Sequence, residues 1–197
     1  VLFIGAGVPR LIGCPSWDGF ANAALAQLVP ACINHYELTQ ILSINDPKKR
    51  LSLAKILADK AGITIDFDRL LRVDPPSESI YSHLAKFRCA FVTTNYDKYL
   101  IPDISKARSE SEWRFSSTEH LLGVNLDTLG NVVHLHGCID EPGAMIVSTQ
   151  DYLEHYATLE VRDFLAYLFR RKSVLFLGYG LEEVEVLEYI LRKGGAV

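Results

Sequence analysis

Four short apolar runs punctuate the chain, and each ends at a glycine or a polar corner. They are residues 1–5 (VLFIG), 89–95 (CAFVTTN), 131–137 (NVVHLHG) and 174–180 (VLFLGYG). Runs of this length without polar alternation predict strands buried on both faces, as in a parallel sheet. Helical patterns lie between them. Residues 17–29 repeat apolar positions at the helical period. Residues 45–62 (NDPKKRLSLAKILADKAG) carry Asn45 or Asp46 as a cap, Pro47 near the first turn and Gly62 past the end. Ser77 caps a predicted helix over residues 78–87, residues 149–172 read as one broken helix or two, and residues 182–193 predict the last helix. Residues 103–130 are polar and without a strong period, which predicts loops and one short helix at most. Strands alternating with helices predict an α/β fold: a doubly wound parallel sheet with helices on both faces. No internal repeat or low-complexity tract interrupts it.

With 197 residues the chain is read as one domain, 1–197, with a sizeable core. A hydrophobic content of 49% with 22% charge is ordinary for a soluble globular protein. A net charge of −4 argues against a nucleic-acid surface spread over the whole domain. No apolar run approaches the roughly 18 residues of a membrane span, and no signal peptide is visible. Val1 stands inside a predicted strand, so the chain is expected to be an excerpt with further sequence on either side. Cys14, Cys32, Cys89 and Cys138 form no C-x-x-C pair. A cysteine-based zinc site is therefore not expected, and the four are read as small, mostly buried residues in a reducing cytoplasm.

In a parallel sheet the strand ends that follow these runs face one crevice, where ligands of open α/β sheets bind. The corners are Gly5-Ala6-Gly7, Thr93-Thr94-Asn95-Tyr96-Asp97, His136-Gly137 and Gly178-Tyr179-Gly180. Each has an ordinary explanation. Gly-x-Gly marks many tight turns, and Arg10 stands where G-x-G-x-x-G would have its third glycine. Asn95 fits a helix cap with Asp97 at the positive end. His134 and His136 share one strand face and fit a core. Capping alone does not explain a polar cluster on four separate strand ends.

The ordered set resembles the sirtuins, and most closely the sirtuin-like domains of bacterial antiphage defence proteins. The motifs are Gly5-Ala6-Gly7, Gly13-Cys14-Pro15-Ser16-Trp17, Thr93 to Asp97, His136-Gly137 followed by Asp140, Asp151-Tyr152, and Gly178 to Leu181. No one of them is specific; their order across residues 5–181 is.

The resemblance implies a sirtuin-type fold and a role for NAD. It assigns Gly5, Ala6 and Gly7 to the pyrophosphate, where a Cβ would obstruct the approach. Trp17 would flank nicotinamide or its ribose, or open a helix and pack on the sheet. Asn95 would hold the ribose or an attacking water, Asp97 would accept from the carboxamide, and His136 would act as a base. Gly178, Tyr179, Gly180 and Leu181 would lie against the adenosine half, with Thr93 or Thr94 also in reach. Two departures stand out: the chain lacks the paired cysteines of the sirtuin zinc module, and residues 138–152 lack the segment that holds an acyl-lysine peptide. The function implied is NAD⁺ hydrolysis to nicotinamide and ADP-ribose, without a metal. NAD-dependent deacylation and a non-catalytic NAD or ADP-ribose sensor are the alternatives. In such defence proteins the domain is a homo-oligomer or is assembled with a sensor or ATPase, acts in the cytoplasm, and needs neither membrane nor direct nucleic-acid contact.

Overall fold

The computed structural model describes residues 1–180 and 184–194. Leu181 and the first two residues of the predicted last helix lie outside the described residues. Five strands form one all-parallel sheet in the order β3-β4-β2-β1-β5: β1 (Leu2–Ile4), β2 (Phe91–Thr93), β3 (Arg114–Phe115), β4 (Val132–His134) and β5 (Leu175–Leu177). Four of these are the strands read from the apolar runs. The fifth, β3, lies in the segment expected to hold loops and at most one short helix. Its two residues pair with Val132 and Val133 of β4, and it makes up one edge of the sheet.

Strand residues alternate between two covered faces. Phe3, Val92 and Val133 point to one side and pack with Val161, Phe164, Leu165 and Leu168 of α8 (Leu159–Arg171). Leu2, Ile4, Phe91 and Val132 point to the other and pack with Val8 of α1 (Gly7–Arg10) and with Tyr81 and Leu84 of α6 (Ile80–Leu84). This period of two, with both faces apolar, is why the runs carry no polar alternation. A further apolar cluster joins α2 (Trp17–Ala26) to α4 (Pro47–Ala61). The structure is a Rossmann-like α/β fold.

The local signals act largely as read. Asp46 caps α4 through the N–H groups of Lys48 and Lys49, and Gly62 ends it at φ 66° in the left-handed region. Ser16 caps α2, which stops at Ala26, three residues before the predicted end. Residues 149–172 form two helices, α7 (Thr149–Ala157) and α8, with Thr158 ending one and capping the other. The helix over 78–87 begins later than expected, capped at Ser79 rather than Ser77. Two helices went unread, α3 (His35–Leu42) and α5 (Phe67–Leu71). The last helix, α9, covers Val184–Gly194.

The chain runs from β1 to β2 and β4 on one side, then returns to β5 on the other side of β1. The strand order therefore reverses at β1, which places a topological switch point at its carboxyl end.

Candidate functional site

At that switch point the glycine turn and the Gly178 corner are packed backbone against backbone. Gly5 N–H donates to the Leu177 carbonyl at 2.9 Å, and Gly7 N–H donates to the Gly178 carbonyl at 2.8 Å. A Cβ on Gly5 would stand 2.5 Å from Tyr179 Cα, and one on Gly7 would stand 2.9 Å from Gly178 Cα. Gly178 adopts φ +62°, and its own Cβ would meet the Val8 nitrogen at 2.8 Å. The glycines thus answer to a contact between two strand ends far apart in sequence, and two of the turn's N–H groups are spent inside the protein.

The corner after β2 is fixed by side chains. Thr93 Oγ1 donates to the Ile4 carbonyl at 2.9 Å and accepts from Asn95 N–H at 3.0 Å. Asn95 Nδ2 donates to the Gly5 carbonyl at 3.0 Å, tying β2 to the glycine turn. No helix begins at Tyr96, so Asn95 is not a helix cap. Its side chain is held by one donor, and its Oδ1 makes no hydrogen bond among the described residues. Asp97 is 5% exposed and accepts from Tyr99 N–H at 3.2 Å, with the Tyr81 hydroxyl beside it but outside hydrogen-bond geometry. Burial pushes its pKa up, opposed by Tyr81 and by the Tyr99 N–H.

Two adjoining cavities meet at this corner. A recess of about 50 Å³ is bordered by Ala6, Cys14, Trp17, Thr94, Asn95 and Asp97. Burial pushes the Cys14 thiol up to about 12, which keeps it protonated and unreactive. The second cavity, about 640 Å³, shares Ala6, Ser16, Trp17 and Thr94 with the first and extends to Gly7, Arg10, Lys48 and Gly178 to Gly180. Trp17 does two things at once: it opens α2 behind the Ser16 cap, with its ring edge-on to Tyr96 at 6.0 Å, and it borders both cavities. Of the predicted residues, Ala6, Gly7, Trp17, Thr94, Asn95, Asp97, Gly178, Tyr179 and Gly180 come together on these walls. Gly5 and Thr93 lie just beneath, bonded to Asn95.

His136 borders neither cavity. It is fully buried, with Nε2 2.8 Å from the Tyr156 hydroxyl, Nδ1 3.4 Å from the Tyr152 hydroxyl, and the Thr94 backbone against the ring. Tyr152 and Tyr156 both come from α7, and their rings meet the imidazole edge-on at 4.9 and 5.8 Å. One layer of protein separates His136 from the crevice. His134 is also buried, with Nδ1 bonded to the Asn95 carbonyl at 3.0 Å and Nε2 without a hydrogen-bond partner among the described residues. Burial first, and then the Lys48 charge, brings the His136 pKa down to about 3; burial and Arg114 bring His134 down to about 4.

A family model for the SIR2-like domain matches residues 89–194, just over half of the chain. The chain belongs to the SIR2-like domain family. SIR2-like domains use NAD, so the function is NAD-related at the level of the family. The matched segment holds the Asn95 corner, both histidines and the Gly178 corner; the glycine turn and Trp17 precede it. No curated protein matches the chain.

Sequence reasoning passes over one residue that borders the SIR2-like crevice, Lys48, and the tyrosines that hold His136. Lys48 falls in the first turn of the helix predicted over 45–62, where no signal marks it, yet its Nζ lies 4.1 Å from the centre of the Tyr152 ring and the residue borders the larger cavity. Tyr152 was singled out only within a motif, and Tyr156 not at all. Among the described residues no group of three or more His, Cys, Asp or Glu is placed to hold a metal ion. The four cysteines are free thiols, with Cys14 and Cys138 buried. No described helix is long and apolar enough to cross a membrane.

The depressed histidines have a consequence for stability. Between the ordinary value of 6.5 and about 4 or 3, the unfolded chain binds protons that the folded protein refuses. Stability therefore falls as pH drops below about 6.5, with each histidine contributing up to a few kcal/mol. Asp97 acts in the opposite sense: above 3.8 the folded carboxyl keeps a proton that the unfolded one has lost. His134→Gln isolates the histidine part. Relative to that variant, the parent's urea midpoint is expected to drop between pH 7 and 4.5. A difference between the two that stays constant over that range would show that His134 is not buried as a neutral group.

Proposed function

We propose that the domain hydrolyses NAD⁺ to nicotinamide and ADP-ribose. The observation that carries the reading is the recess of about 50 Å³ beside Asn95. A water needs about 10–15 Å³ of such space and two or more polar partners, which Asn95, Asp97 and Thr94 supply. The recess has room for a water beside Asn95, which supports hydrolysis. The adjoining 640 Å³ cavity falls within the ordinary range for small-molecule sites.

The chemistry breaks the bond between the ribose C1 and the pyridinium nitrogen. The bonding electrons return to the cationic ring, so nicotinamide departs neutral and needs no general acid. Water forms the new bond to C1 and gives up a proton. Asn95, with Nδ2 committed to Gly5, offers Oδ1 to that water or to a ribose hydroxyl. Asp97 receives the carboxamide and Trp17 closes the nicotinamide side. His136 is neutral at working pH and takes the proton once Tyr152 and Tyr156 turn aside. Gly178, Tyr179 and Gly180 face the adenosine half. The protein would deplete NAD in cytoplasmic antiphage defence, as a homo-oligomer or with a sensor or ATPase partner.

The full burial of His136 favours one other reading, a module that binds NAD or ADP-ribose without turning it over. Nicotinamide release by the full natural chain separates the two. Hydrolysis gives equal amounts of nicotinamide and ADP-ribose, unaffected by acyl-lysine peptide; stimulation by the peptide would point to deacylation, and binding without release to a sensor.

A further inference from the structure

The Gly5 and Gly7 N–H groups that would cradle a phosphate are already bonded to Leu177 and Gly178. A dinucleotide brings two negative charges at its diphosphate, and the crevice must meet them by other means. Among the described residues, the charged ones bordering the larger cavity are Arg10, Asp18, Asp46 and Lys48. Both acids are occupied. Asp18 is paired with Arg50, and Asp46 accepts from the backbone N–H groups of Lys48 and Lys49.

Lys48 has no carboxylate partner among the described residues. Its ammonium is placed rather than adrift: the Asp46 cap and Pro47 fix the first turn of α4, and the Tyr152 ring holds Nζ at 4.1 Å. A cation over a ring face is attracted by the ring quadrupole yet keeps its N–H donors for a second partner. Lys49, one residue on, is exposed and borders neither cavity. Arg10 shares the cavity but is itself exposed, so solvent screens it more.

Resting on the NAD reading above, we propose that Lys48 is the residue that binds the dinucleotide diphosphate in this crevice. The glycine turn shapes the opposite wall, and Lys48 supplies the charge. The ligand class is an organic diphosphate; a nucleoside without phosphate gains nothing from it.

Calorimetry on the full natural chain tests this without reference to turnover, with ADP-ribose, inorganic pyrophosphate and adenosine as probes. In Lys48→Met the dissociation constants for ADP-ribose and pyrophosphate are expected to rise on the order of 10- to 100-fold, the usual worth of a charge-assisted bond. Adenosine should bind as before, and Lys48→Arg should recover most of the loss. Unchanged ADP-ribose affinity in a folded Lys48→Met protein overturns the assignment. So does an equal loss for adenosine, which marks a structural lysine, or a parent protein that binds none of the three. A protein that binds ADP-ribose through Lys48 but releases no nicotinamide keeps this inference and loses hydrolysis.

Discussion

Asn95→Ala is expected to lower nicotinamide release from NAD⁺ by at least about 10²- to 10⁴-fold while the protein stays folded, and His136→Ala by a comparable factor. That factor corresponds to roughly 3–5 kcal/mol of barrier. The two residues reach this outcome by different routes. Asn95 borders the recess, so its loss removes a direct partner of the water. It also frees the Gly5 carbonyl; the companion variant Asn95→Asp loses the same donor but keeps an oxygen toward the recess, so it separates the two effects. His136 lies one layer behind, held by Tyr156, and its loss removes the proton acceptor. Because one water serves both, the double variant should be little worse than the poorer single one. His134→Ala is the control: its ring bonds the Asn95 carbonyl, so stability should fall more than turnover. Near-parental turnover in folded His136→Ala would leave the imidazole a core residue.

The second large effect is on folding. Gly7→Val is expected to destabilise the protein by on the order of 3 kcal/mol, since a Cβ 2.9 Å from the Gly178 backbone forces the two strand ends apart. For a domain of this size that is a fall in Tm of roughly 6–12 °C. Dinucleotide binding should weaken with it, because the Gly178 corner walls the cavity. Gly143→Ala, where an added Cβ meets nothing within 4 Å, should melt close to the parent. The sequence alone predicts a different outcome for Gly7→Val: intact stability with binding lost. Thermal unfolding with and without ADP-ribose decides, and a variant as stable as the parent would overturn the packing explanation.

The contrast shows what is legible in this sequence. Three of the apolar runs announce their strands because Leu2–Ile4, Phe91–Thr93 and Val132–His134 are buried on both faces; the fourth, Leu175–Leu177, is as apolar although Leu175 is exposed. Asp46, Pro47 and Gly62 announce α4 because caps are local chemistry. The strand Arg114–Phe115 is two residues long, pairs by backbone alone, and leaves no pattern. The helix His35–Leu42 is eight residues long and only partly buries Leu38 and Ile41, so its apolar stripe is too short to stand out. Three of the four corners border one crevice, because parallel strands bring their carboxyl ends to one edge of the sheet. The fourth, His136, follows its strand to the same edge but is covered by the tyrosines of α7, which return from 16 and 20 residues further along. No local signal reports such a return. The same is true of Gly5 and Gly7, whose partner is a corner more than 170 residues away, and of Lys48, whose role depends on Tyr152.

Hydrolysis in water enriched with ¹⁸O tests the central claim most directly. The full natural chain is incubated with NAD⁺, and nicotinamide and ADP-ribose are weighed by mass spectrometry. The account predicts equal amounts of the two, with one ¹⁸O on the ribose C1 of ADP-ribose, and labelled product formed about 10²- to 10⁴-fold more slowly when Asn95 is replaced by Ala. Intact NAD⁺ bound but never cleaved, or label appearing only when an acyl-lysine peptide is supplied, would contradict it.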